Sequence, residues 1–223
     1  MRAENYAEPA ICRQFELKDG AATAYIVVDS VLGGGGTGGV RMGPDVTVDE
    51  VAALAREMSL KFAWLNIPRG GAKSGICLHD TAPGVRDEVL REFGRSIRDL
   101  VASGRYVPGM DLGVGQDEYQ TIMRGAGFAA EETDPDPDID SNYYTAMTVF
   151  LAAKAALAQK GRSLEGTSVL IEGLGKVGRH LVRLFDGDGA RIVGVSTLEG
   201  AVVEPAGLDV DQLLLLAEDH GDD

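Results

Sequence analysis

The chain has 223 residues, 35 acidic against 21 basic, and a formal net charge of −14. Its 44% hydrophobic and 25% charged residues supply a packed core and exclude a disordered, collagen-like or disulfide-framework protein, in a length that suits one large domain or two small ones. So much acid repels nucleic acid and anionic membranes, which leaves small molecules and other proteins as partners. The acid is local: residues 128–140 hold six acids and residues 200–223 hold seven, with no base in either, and the remainder is almost neutral. Lysine is scarce, 6 against 15 arginines. Cys12 and Cys77 are far apart and His79, His180 and His220 are scattered, so no metal site is expected and a reducing cytoplasm is. The start lacks the apolar core of a signal segment, and the longest apolar stretch, Leu213 to Ala217, is too short to cross a bilayer.

In chain order, Ala21 to Leu32 reads as a strand, followed by a flexible run from Gly33 to Gly36. Helical periodicity runs from Val48 to Asn66, with Asp45 or Thr47 as N-cap and Pro68 past its end. A short extended segment, GAKSGICL, precedes an amphipathic helix over Val85 to Val101, a brief strand over Arg105 to Val107 and a helix over Gln116 to Arg124. Alternating Asp-Pro makes Glu131 to Asp140 a linker. Beyond it come an Ala-rich helix, Asn142 to Gln159, a buried strand, Thr167 to Ile171, a helix, Val177 to Phe185, and an apolar strand, Arg191 to Val195. Strand, glycine turn, helix, strand is a βαβ unit with a parallel pair.

Three groups carry chemistry. Lys61 fills a gap in the apolar stripe Val51, Leu54, Met58, Leu65, which predicts a lysine on the buried helix face; the plainer alternative is a snorkelling side chain. Lys73 lies among Gly70, Gly71 and Gly75, where backbone can approach a ligand. Paired lysines would suit a small carboxylate, and a lysine kept close to another cation and away from water becomes usable in acid/base chemistry; an exposed turn lysine is the alternative. Asp111 follows a strand between glycines, as a cleft carboxylate or a turn former. Third, Gly173, Gly175 and Gly178 form Gly-x-Gly-x-x-Gly between strand and helix, which predicts a turn that takes a dinucleotide pyrophosphate at Gly173, Leu174, Gly175, Lys176, Val177 and Gly178; a glycine-rich turn with no nucleotide is the alternative. Ser196 and Thr197 stand where a ribose-binding acid belongs, and Glu199 comes two residues late, so NAD against NADP stays open.

In order and spacing, TGGVRMGPDVTVDEVAALAREMSLKFAWLNIPRGGAKSGI, GRYVPGMDLGVG and VLIEGLGKVGRHLV resemble the glutamate/leucine/phenylalanine/valine dehydrogenase family, from about Phe15 onward. The resemblance implies a mixed-sheet α/β substrate and oligomerisation domain over residues 1–130, followed over 141–223 by an incomplete Rossmann-type NAD(P)-binding domain. It also implies reversible oxidative deamination of an L-amino acid to a 2-oxo acid and ammonia, NAD or NADP as cofactor, and a homo-oligomer. By position, Lys73 matches the catalytic lysine, Asp111 the acid/base, Lys61 the lysine holding the α-carboxylate, and Thr145 a threonine near nicotinamide and substrate. Thr37 stands where glutamate-type members have a lysine for the side-chain carboxylate. That neutral residue, next to Gly39 in the GGVRM wording, is closer to the leucine/phenylalanine type and predicts an apolar substrate side chain. Ser74, His79, Asp80 and Thr148 depart from the family pattern. Relatives run on past the point where this sequence stops, so the alternatives are a non-catalytic homologue or a subunit that needs a separately encoded C-terminal piece.

Overall fold

The computed structural model describes residues 8–128 and 140–219. The chain divides into two compact units, Met1–Asp134 and Pro135–Asp223. All of the predicted linker except Asp140 lies outside the described residues, as does His220.

The first unit is built on a five-stranded sheet of β1 (Ile11–Leu17), β2 (Ala22–Val28), β3 (Gly36–Gly43), β4 (Gly70–Leu78) and β5 (Tyr106–Met110), in the order β1-β2-β4-β3-β5. β3 is parallel to β4 and β5, whereas β2 runs antiparallel to β1 and β4, so the sheet is mixed and β4 is central. Three helices cover it: α1 (Val48–Trp64), α2 (Val85–Ala102) and α3 (Gln116–Ala126). α1 starts at Thr47, whose hydroxyl accepts from the Glu50 N–H, and Asp49 and Glu50 suit the positive end of the helix. The apolar stripe of α2, Val89, Leu90, Phe93, Ile97 and Leu100, packs with Val40, Ala72 and Ile76 into the main core. α1 covers the opposite face with Val51 and Ala55 against Val27 and Cys77.

Several expectations change here. The strand predicted over Ala21 to Leu32 ends at Val28, and Gly35 and Gly36 are buried. A Cβ on Gly35 would meet the Gly104 carbonyl oxygen at 2.0 Å, so this glycine serves close packing, not freedom. β3 and β1 are additional strands, the first concealed by four glycines and the second by its charged residues. GAKSGICL is extended, as expected, and forms β4 in the middle of the sheet. Lys61 is exposed: α1 runs past the sheet after Ser59, so the extrapolated stripe emerges into solvent with Leu60, Trp64 and Leu65.

The second unit comprises α4 (Ser141–Gln159), β6 (Ser168–Glu172), α5 (Lys176–Gly187), β7 (Arg191–Ser196), β8 (Ala201–Val203) and α6 (Val210–Asp219). β6 and β7 are parallel and joined through α5, the predicted βαβ unit, and β8 adds an antiparallel strand. The core gathers Phe150, Val182, Phe185 and Ile192. β6 is not the buried strand expected: Ile171 is buried, but Leu170, on the opposite face, is 70% exposed. None of the described helices is long and apolar enough to cross a membrane.

Candidate functional site

Side chains alternate along β3, so Thr37, Gly39 and Arg41 share one face while Gly38, Val40 and Met42 point toward the core beneath α2 and α3. On β4, Gly71, Lys73 and Gly75 share the α1 face: a Cβ on Gly71 would strike Ser59, and one on Gly75 would strike Val51. Asp111 directly follows β5, whose last residue, Met110, is level with Val40 in the middle of β3 and, across it, Ser74 of β4. Its tight turn is closed by Val114 N–H donating to the Asp111 carbonyl at 2.9 Å, and Met42 N–H donates to the Leu112 carbonyl at 2.9 Å.

Lys73 is 7% exposed, and its ammonium lies 2.8 Å from Asp111 Oδ2. Arg41 Nε donates to the same oxygen at 3.0 Å, and the Arg41 guanidinium is held in turn by Glu50 in the first turn of α1. Burial raises the pKa of the Asp111 carboxyl, but the hydrogen bond and charge of Lys73, then those of Arg41, more than offset this and leave it below the ordinary value. The carboxylate is therefore ionised at neutral pH. Two glycines make the convergence of strands possible. A Cβ on Gly38 would meet the Ala72 carbonyl oxygen at 1.6 Å, and one on Gly39 the Met110 carbonyl oxygen at 2.5 Å. Beneath them, buried Tyr106 donates to the Gly38 carbonyl at 3.1 Å, and burial raises its pKa, so it stays a phenol. Ser74 is fully buried beside it, on the opposite face of β4 from Lys73.

The structure thus joins Lys73, Asp111 and Gly39. It also adds three residues that the sequence reading left out: Arg41, Glu50 and Arg69. Arg69 Nε donates to Thr37 Oγ1 at 2.8 Å, which places a permanent cation beside Thr37. The only signal for Arg41 was its place two residues beyond Gly39 on the same strand face.

In the second unit, β6 ends at Glu172 and α5 begins at Lys176, so Gly173, Leu174 and Gly175 form the turn. Gly173 has φ +92°, and Gly178 packs so closely that a Cβ would lie 2.0 Å from the Gly173 carbonyl oxygen. Over Gly173 and Gly175 a Cβ would meet nothing. α5 carries no acid in its first turn and no side-chain cap, whereas α1, α2 and α3 each place two acids there. An open glycine turn leading to a helix start with no acid and no side-chain cap fits a dinucleotide pyrophosphate. At the end of β7, Thr197 N–H donates to the Gly200 carbonyl and the Thr197 hydroxyl accepts from Glu199 N–H, a turn without an acid at its first two positions. Thr145 is exposed in the first turns of α4, and its hydroxyl donates to the Ser141 carbonyl at 2.8 Å. The α4 cap Asp140 lies 2.8 Å from His180 of α5, which fixes the start of α4 against the helix that follows the glycine turn. Among the described residues no group of three or more His, Cys, Asp or Glu is placed to hold a metal ion.

Residues 10–126 match the family described as Glu/Leu/Phe/Val dehydrogenase, dimerisation domain, and residues 139–222 match Glutamate/Leucine/Phenylalanine/Valine dehydrogenase. A Staphylococcus aureus protein named NAD-specific glutamate dehydrogenase is 32% identical over 193 residues, covering 79% of this chain and 46% of the relative. The hetero-hexameric glutamate dehydrogenase of Thermus thermophilus, in a Leu-bound form, superposes with a TM-score of 0.82 at 28% identity, over 95% of this chain and 55% of that one. The L-tryptophan dehydrogenase of Nostoc punctiforme gives 0.60 at 26% identity, over 89% and 60%. The chain spans about half the length of the curated relatives it matches, 46% of each. With both of its units matched in order, the chain belongs to the glutamate/leucine/phenylalanine/valine dehydrogenase family.

Proposed function

We propose that the protein is an amino-acid dehydrogenase, which converts an L-amino acid, water and NAD reversibly to a 2-oxo acid, ammonia and reduced NAD. The observation that carries this reading is the ion pair between buried Lys73 in β4 and half-buried Asp111 just past the end of β5. In the amination direction the Lys73 ammonium hydrogen-bonds the carbonyl oxygen of the 2-oxo acid and polarises it, and the ionised Asp111 takes a proton from the incoming ammonia. Arg41 keeps Asp111 in place while Lys73 turns to substrate. Lys61 is exposed, one turn before the exposed Trp64, and serves as the mobile partner for the α-carboxylate. The dinucleotide, held at Gly173 to Gly178 with Thr145 nearby, supplies hydride transfer when bound. NAD is the preferred cofactor because the Thr197–Gly200 turn carries no base for a 2′-phosphate, and because curated relatives are named NAD-specific. Free Cys12 and Cys77 suit a cytoplasmic location, and the description of the first matched region as a dimerisation domain supports a homo-oligomer.

Thr37 alone reads as a neutral pocket for an apolar substrate side chain. Arg69 favours a second reading, since a guanidinium 2.8 Å from the Thr37 hydroxyl offers a side-chain carboxylate the partner that Thr37 lacks. NADH oxidation with ammonium and either 4-methyl-2-oxopentanoate or 2-oxoglutarate tests both readings. Turnover of the second substrate alone, lost in Arg69→Met, identifies Arg69 as the side-chain partner, and turnover of the first alone supports the apolar reading. No turnover with any 2-oxo acid contradicts the dehydrogenase. A non-catalytic homologue, or a subunit working with a separately encoded piece, is favoured by the exposure of Leu170 and Val203 on the second sheet. An assembly role would survive Lys73→Ala.

A further inference from the structure

Two helices on the far side of the first sheet from Lys73 enclose a second charged feature. α2 and α3 touch backbone to backbone: a Cβ on Gly94 would meet the Ile122 carbonyl oxygen at 2.1 Å, and one on Gly125 the Arg91 carbonyl oxygen at 2.4 Å. This contact sets Arg91 and Arg95 of α2 beside Arg124 of α3 around an open cavity of about 570 Å³, lined also by Asp87, Thr121 and Gly125. Three guanidiniums face one carboxylate, and Asp87 reaches only Arg91, at 3.8 Å. Arg95 has no carboxylate partner among the described residues, and Arg124 Nε donates to the Gln120 carbonyl of its own helix. Like charges one helical turn apart repel, so Arg91 and Arg95 cost stability unless an anion lies between them.

We propose that the α2–α3 groove binds a small polyvalent phosphate anion, with inorganic pyrophosphate as its simplest representative. Planar guanidiniums from two helices offer paired N–H donors that match phosphoryl oxygens, and the cavity is of small-molecule size. No aromatic ring lines it, so recognition runs through phosphoryl groups and not through a stacked base. The groove belongs to the first unit and the dinucleotide turn to the second, and the proposal stands independently of the proposed reaction.

The test is calorimetric titration of the protein with pyrophosphate against chloride at matched ionic strength, with citrate as a carboxylate probe. Saturable binding of pyrophosphate is expected, at least tenfold weaker in the Arg95→Gln/Arg124→Gln double variant and unchanged in Arg162→Gln. Arg95→Lys should fall between, keeping the charge and losing the fork. Without ligand, the double variant should melt at the same or a higher temperature, because repulsion is removed; a large drop would mean that the arginines are structural and would overturn the proposal. Absence of saturable pyrophosphate binding, binding insensitive to the double variant, or equal binding of citrate would also overturn it. So would self-association that Arg95→Gln abolishes while pyrophosphate does not bind, since the groove would then be a contact between copies.

Discussion

Each unit places a glycine pair next to its candidate chemistry, for opposite reasons. At Gly38 and Gly39 a Cβ would collide with protein at 1.6 and 2.5 Å, so these glycines let β4 and β5 close on β3 and bring Lys73 to Asp111. At Gly173 and Gly175 a Cβ would meet open space, so those glycines leave room for something outside the protein. The first site is made of side-chain charge, paired and sheltered in advance. The second is a helix start without a side-chain cap behind an open glycine turn, an arrangement suited to an anion. Glycine content alone does not distinguish the two uses; what a Cβ would touch does.

Substitution by alanine separates them. Gly38→Ala is expected to destabilise the first unit by about 3 kcal/mol or more, measured by denaturant unfolding, because the Ala72 backbone must move. Gly178→Ala, facing the Gly173 carbonyl at 2.0 Å, should cost about 1–3 kcal/mol and dinucleotide binding with it. Gly175→Ala is the sharpest case: its φ of −71° suits alanine and its surroundings are empty, so stability should change by no more than about 0.5 kcal/mol. NAD affinity, by titration calorimetry, should nevertheless fall by about tenfold or more. Equal stability losses at Gly38 and Gly175 would erase the contrast. On the exposed side of the second sheet, Leu170→Ser should be nearly silent in thermal unfolding, within about 0.5 kcal/mol.

The charge in the first site also sets a pH dependence. Asp111 has its pKa depressed in the folded state, so its stabilising contribution is complete above the unfolded value of about 4 and is lost as pH falls through the folded value. Thermal unfolding from pH 6 downward should show wild type losing stability below about pH 4, and Asp111→Asn losing less over that window.

The second unit's turn was legible because its three glycines, strand and helix are contiguous and each obeys a local rule. The first site was legible only in outline. Lys73 and Asp111 were marked by glycine neighbours, but Arg41 and Arg69 reach Asp111 and Thr37 through strand order β4-β3-β5, which no local pattern encodes, and Glu50 enters only by holding Arg41. β3 was hidden because four of its eight residues are glycine, which opposes strand propensity until close packing requires it. Lys61 was misplaced because periodicity says which residues share a helix face and not where the sheet beneath that face ends.

The central claim is that Lys73 and Asp111 form one catalytic unit. Its most direct test is NADH oxidation by wild type, Lys73→Ala, Asp111→Asn and the double variant, with ammonium and the preferred 2-oxo acid. Each single variant is expected to lose about 10²- to 10⁴-fold in kcat while retaining NAD binding, and the double variant to lose no more than the worse single one. Turnover unchanged in Lys73→Ala, or losses that multiply in the double variant, would contradict it.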